Sequence, residues 1–279
     1  MKSLFIWGLL SLTLLVSSCS KNDEKPAPAD ELQGLLLVKT ISNATHSIDL
    51  YTSSGKFETG YNPIFFQLKT VNGTLVNNAA ITWMPVMKMM NMSHSCPFST
   101  IGKKQDAAYT FQGFIIFQMP GSDMEYWELS LNYTINGESF TIKDRIQVTD
   151  RTRKTVQSFL GTDNKRYVLA MMEPADPKVA LNDMSGLLYT MTNMMQFDPV
   201  DNYTIQIDPR MPGMGNHGSP NNVHLTQGTD KIYRGKLSLT MSGYWKINLQ
   251  LLDATGAVLK GEPVAGDNES SSLFFEVEF

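Results

Sequence analysis

Trp83–Pro97 reads WMPVMKMMNMSHSCP, and Arg210–Pro220 reads RMPGMGNHGSP. Both run Met-Pro-x-Met, a short spacer, then His-x-x-Pro. The likeness continues downstream. Gln112-Gly113, Met119, Gly121 and Tyr126-Trp127 in the first copy answer Arg234-Gly235, Met241, Gly243 and Tyr244-Trp245 in the second. Aligned on Met-Pro-x-Met, the first copy carries Lys88–Asn91 as an insert in the loop, one residue more before Gln112, and Ser122–Glu125 before the Tyr-Trp. A shared order of such uncommon residues marks a tandem duplication. The 279 residues then divide into two domains.

Working outward from these loops, the chain reads as short strands. Apolar or alternating runs occupy Leu35–Ile41, Ser47–Tyr51, Ile64–Leu68 and Ala79–Trp83, and after the loop Phe98–Ile101, Thr110–Met119, Trp127–Ile135 and Phe140–Val148. Asn136-Gly137 between two alternating runs is a hairpin signal. The second copy repeats the pattern through Leu273–Phe279, and no long window sustains helical periodicity. Short strands separated by turns predict an all-β chain of two tandem immunoglobulin-like β-sandwich domains, 35–150 and 160–279. Polar, basic Thr149–Gly161 is the expected boundary.

The amino terminus predicts export. Lys2 precedes the apolar run Leu4–Val16, which is short for a membrane span and suits a cleaved signal over 1–18. Leu15-Val16-Ser17-Ser18-Cys19 resembles a bacterial lipobox, which makes Cys19 the expected lipidation site and the membrane a partner through its acyl chains. Residues 19–34 then form a tether. Its Ser20–Glu24 segment resembles a surface-export signal of Bacteroidetes-type lipoproteins, or is a plain charged spacer. The expected address is the cell envelope, anchored to the outer membrane on its periplasmic or surface face. A net charge of −4 supplies no basic surface for nucleic acid.

The chain has only 4 His and 2 Cys, and His94, His217, His224 and Cys96 all fall in or just after the repeated loops. If each strand reverses direction, Met84, Met87, His94 and Met119 converge at one end of the first sandwich. Met211, Met214, His217 and Met241 then converge at the same end of the second. Thioethers are soft, neutral ligands that select Cu(I), and imidazole suits copper too. Met or His loops of this kind predict a copper site; equally, the methionines fill the sandwich ends as flexible apolar packing. Cys96 is a further soft ligand or a buried small apolar residue.

Met-Pro-x-Met, a histidine, a glycine before an apolar strand, then Met-x-Gly and an aromatic-Trp strand resemble the YtkA-like domain family. The match is clearest over Ile205–Leu252 and looser over Ala79–Leu131. The resemblance implies small immunoglobulin-like modules of exported bacterial proteins and an association with copper or heavy-metal handling. No nucleophile elbow, His-Glu-x-x-His motif or phosphate-binding glycine loop is present, which speaks against an enzyme. Two function classes follow. One is a lipoprotein that binds Cu(I) for storage, transfer or resistance, with a copper-handling protein as partner. The other is a non-enzymatic scaffold that recognises a protein or polysaccharide.

Overall fold

The computed structural model describes residues 30–279. The signal segment 1–18 and Cys19 lie outside the described residues. Glu31–Phe279 is one compact unit.

Strands of the first half are β1 (Leu36–Ser42), β2 (His46–Thr52), β3 (Phe57–Glu58), β4 (Gly60–Thr70), β5 (Leu75–Val76) and β6 (Ala80–Lys88). They are followed by β7 (Ser93–His94), β8 (Gly102–Lys103), β9 (Thr110–Phe117), β10 (Tyr126–Ile135), β11 (Glu138–Ile146) and β12 (Val148–Thr149). The second half begins with β13 (Val156–Leu160), β14 (Arg166–Glu173), β15 (Ala180–Asn193), β16 (Gln196–Pro199), β17 (Thr204–Met211) and β18 (His217–Gly218). It ends with β19 (Val223–Gln227), β20 (Tyr233–Leu239), β21 (Tyr244–Leu252), β22 (Val258–Lys260) and β23 (Leu273–Glu278).

Period-two burial builds these strands. Along β10 the inward positions are Trp127, Leu129, Leu131 and Tyr133; along β21 they are Trp245, Ile247, Leu249 and Leu251. Residues two apart share a face of a strand, so each set stacks into one core. Asn136 and Gly137 both take positive φ and close the β10–β11 hairpin, as their dipeptide predicts.

In the first half, one sheet runs β1-β2-β4-β9-β8 with β5 on β4, and the other runs β11-β10-β6-β7. Their inner faces share a core that includes Leu50, Phe66, Trp83 and Trp127. The second half repeats the pairings. Strand β13 pairs with β14, β14 with β15, β15 with β16 and β20, β20 with β19, β17 with β18 and β21, and β21 with β23. The halves differ in the parallel β3–β12 pair of the first and in β22, which pairs with β21 in the second; β19 of the second also pairs with β17 through Thr204↔Thr226 and Ile205↔Leu225. That bridge joins the two layers into a continuous 11-stranded sheet folded over a single core. Its counterpart β8 pairs only with β9, and the strand expected at Phe98–Ile101 is reduced to a single bridge, Phe98↔Ile115.

Equivalent hydrogen bonds recur in the two halves. Trp127 Nε1 donates to the Met119 carbonyl at 2.9 Å, and Trp245 Nε1 donates to the Met241 carbonyl at 2.9 Å. Gly121 N–H donates to Val148 O, and Gly243 N–H donates to Phe279 O; the acceptors lie two residues and one residue past the last long strand of their half.

A third apolar cluster unites the halves. Ile116 on β9 packs with Val168 and Ala170 on β14 and with Leu187 and Tyr189 on β15. Strand β14 therefore buries both faces, with Tyr167, Leu169 and Met171 turned to its own core and Val168 and Ala170 to the other half. The first strand of the second half already starts at Val156, ahead of the expected boundary at 160.

Candidate metal centre

The methionine run forms a β-hairpin where the sequence suggested an open loop. Strand β6 continues through Pro85 to Lys88, and β7 pairs back on it through Met87↔His94 and Lys88↔Ser93. Met89 N–H donates to Met92 O at 3.0 Å, which closes the turn and leaves Met90 at its tip, 73% exposed. Alternation then places Met87, Met89, Met92 and His94 on one face. Pro85 is tolerated because its carbonyl accepts from Ser95 Oγ at 2.7 Å. Its backbone polar edge therefore points away from β10, and no ladder bond to β10 is lost.

His94 Nδ1 lies 2.7 Å from the Ser95 carbonyl. A carbonyl only accepts, so Nδ1 is the donor, and in the neutral ring Nε2 carries the lone pair. The ring stands edge-on to Trp127 at 5.7 Å, which fixes its plane.

Met89, Met92 and His94 line one wall of a cleft of about 300 Å³. The opposite wall belongs to the second half and includes Met191, Met194 and Phe197. Ser95 N–H donates to Met194 O at 2.8 Å and fastens the β15–β16 turn beside the hairpin. Among the described residues no carboxylate lines this cleft, and its one charged side chain is Arg166. Among the described residues no group of three or more His, Cys, Asp or Glu side chains could hold a metal. What gathers at the cleft is a set of thioethers with a single imidazole.

The chain matches no family model, and no curated protein matches it. Among solved structures it aligns with a conserved domain protein from Bacillus anthracis, at a TM-score of 0.33 and 8% identity. That alignment covers 88% of this chain and 86% of the other.

The remaining sequence-selected residues separate. Met84 lies three positions before Met87 on the same strand, so the two point to opposite faces. Met87 is 1% exposed in the core, and Met84 is half-buried on the far side with Ser95 Oγ 3.6 Å from its sulfur. The expected convergence of Met84 with Met87 is thereby corrected: a strand occupies the place of the loop. Met119 packs on the core edge and gives its carbonyl to Trp127. Cys96 is wholly buried in the same core, and burial pushes its thiol well above the ordinary range, so the thiol stays protonated.

In the second half, Met211↔His217 is the pair that matches Met87↔His94. Pro209 faces Ile247 as Pro85 faces Leu129. The structurally shared motif is therefore Pro-x-Met, and Met87, not Met84, is the counterpart of Met211. Seven positions separate Met87 from His94 and six separate Met211 from His217, so the supposed four-residue insert shrinks to one. Pro212 starts a 3-10 turn, Pro212–Met214, and the hairpin cannot lengthen. Met211 is buried in the core, Met241 packs against it, and Met214 and His217 are exposed. His224, on β19, uses Nδ1 to accept Ile207 N–H at 3.2 Å and so works as a backbone substitute between strands.

Sequence reasoning missed Met191 and Met194. They lie outside the repeated motif, on a hairpin with no histidine, and only the packing of one half on the other carries them to the cleft. The single available signal was the density of methionine in Met191-Thr192-Asn193-Met194-Met195.

Proposed function

We propose that this chain is an envelope lipoprotein, anchored to the outer membrane through an acylated Cys19, that holds Cu(I) through Met and His side chains for storage, transfer or resistance. Its halves are read as divergent YtkA-like modules, on the repeated Pro-x-Met, His, Met-x-Gly and Tyr-Trp residues. The observation that carries the metal reading is the hairpin face bearing Met89, Met92 and His94, with the His94 Nδ1 proton engaged and Nε2 left as a donor. Thioethers and a neutral imidazole are soft or borderline ligands and favour Cu(I) over harder cations. Met90 and the half-exposed Met92 keep the hairpin tip accessible, which suits exchange of the ion with a copper-handling partner.

The test is competition with a weak Cu(I) chelator under reducing conditions. Wild-type protein should take the ion, and the triple variant Met89→Leu, Met92→Leu, His94→Gln should lose at least about tenfold in affinity, or ~1.4 kcal/mol. If wild-type protein takes no copper from the chelator, the metal reading fails. The methionine-rich cleft then reverts to a docking surface for a protein or polysaccharide.

A further inference from the structure

We propose that Met191 and Met194 of the second half complete the cleft, so that a single monovalent soft cation is held by both halves at once. This rests on reading the β6–β7 hairpin as the metal-binding element, and adds ligands from a part of the chain that carries no repeated motif.

Three observations converge. First, Met191 and Met194 line the same 300 Å³ cleft as Met89, Met92 and His94. Second, the two walls are fastened at the site itself, since the residue after His94 donates its N–H to the Met194 carbonyl at 2.8 Å. The methionine side chain has three rotatable bonds and adapts its reach, so fixed backbones with mobile thioethers can close on an ion. Third, the donors are neutral and the one charge on the lining is Arg166. A divalent ion would enter a partly desolvated site beside a like charge, with no carboxylate to offset it. A monovalent soft ion meets half that repulsion and has the sulfur donors it prefers. Cu(I) and Ag(I) fit this chemistry; Zn²⁺ and Ca²⁺ do not.

The experiment uses the mature chain with methionine methyl groups isotopically labelled and Ag(I) as a redox-inert probe. One equivalent of Ag(I) should move the methyl resonances of Met89, Met92, Met191 and Met194, while those of Met119 and Met214 stay in place. In chelator competition with Cu(I), Met191→Leu/Met194→Leu should weaken binding by about tenfold or more, whereas Met214→Leu/His217→Gln should leave it within about twofold. Leucine keeps the side-chain volume and Met194 is 45% exposed, so an unchanged thermal midpoint is expected for the first pair. If that pair does destabilise the fold, the methyl shifts of the unmutated protein decide. Wild-type affinity in Met191→Leu/Met194→Leu, with binding lost in the Met89, Met92, His94 variant, would overturn the shared site and leave the hairpin reading intact. No shift at any of the four methyl groups would overturn both.

Discussion

His94 and Cys96 are two positions apart, and burial gives them different chemistry. His94 is half-buried at the cleft with one ring nitrogen committed, whereas Cys96 is wholly enclosed and its thiol is held protonated by desolvation. A thiolate ligand would have to ionise inside an apolar core. Cys96→Ala should therefore leave Cu(I) affinity unchanged while costing about 1–2 kcal/mol of stability from lost packing. A thiol reagent should react with native protein only after denaturant is added. A tenfold fall in copper affinity in Cys96→Ala would return the thiol to the ligand set. Scarcity of His and Cys made both residues visible in the sequence. Their separation was not, because an extended loop puts residues 94 and 96 on one face, and only the enclosed path from Ser95 to Pro97 draws the thiol inward.

At the scale of the element, strand β6 sorts its methionines by parity. Met87 faces the core and Met84 the opposite side, so the pair that looked like a chelate in the sequence is split by the sheet. Met87→Ala should lower stability by about 2–5 kcal/mol, as expected for emptying a buried methionine site. Met84→Ala should cost less than about 1 kcal/mol. Urea unfolding midpoints compare the two; equal losses would mean that β6 does not run through Pro85 as a regular strand. The strands themselves were legible from alternation and from Asn136-Gly137. The hairpin inside the methionine run was not, because letter matching aligned Met84 with Met211 and so read the tightened strand pair as a long insert. Register supplies what the letters lacked. Gly113 and Gly235 show the same limit. They match in sequence and position, yet a Cβ on Gly113 would meet the Trp83 ring at 2.6 Å, while one on Gly235 would collide with the Val223 carbonyl of the bridging strand β19.

At the scale of the whole molecule, the two halves form one unit because β9, β14 and β15 are apolar on both faces. Val168–Met172 is a continuous apolar run, as burial on both faces requires, but its letters do not tell which surface covers the outer face. Covering it with the first half is also what brings the β15–β16 turn to the hairpin. Tyr189 reports on this interface. It is buried in the shared cluster, and burial, reinforced by the charge of neighbouring Tyr61, pushes its hydroxyl up to about 12 from an ordinary 10. A phenol raised in the folded state keeps its proton there while the unfolded chain begins to lose it. Its contribution to stability is complete below pH 10 and disappears as pH rises through about 12. A rise from 10 to about 12 corresponds to an effect of about 3 kcal/mol. Tyr233 and Tyr244 are raised to about 12 as well, so wild-type protein should lose stability steeply across that window. Tyr189→Phe keeps the ring and removes the ionisable group, and urea midpoints measured from pH 9 to 12 should then fall less steeply than in wild type. An unchanged slope would mean that Tyr189 titrates freely and that the face joining the halves is open to water.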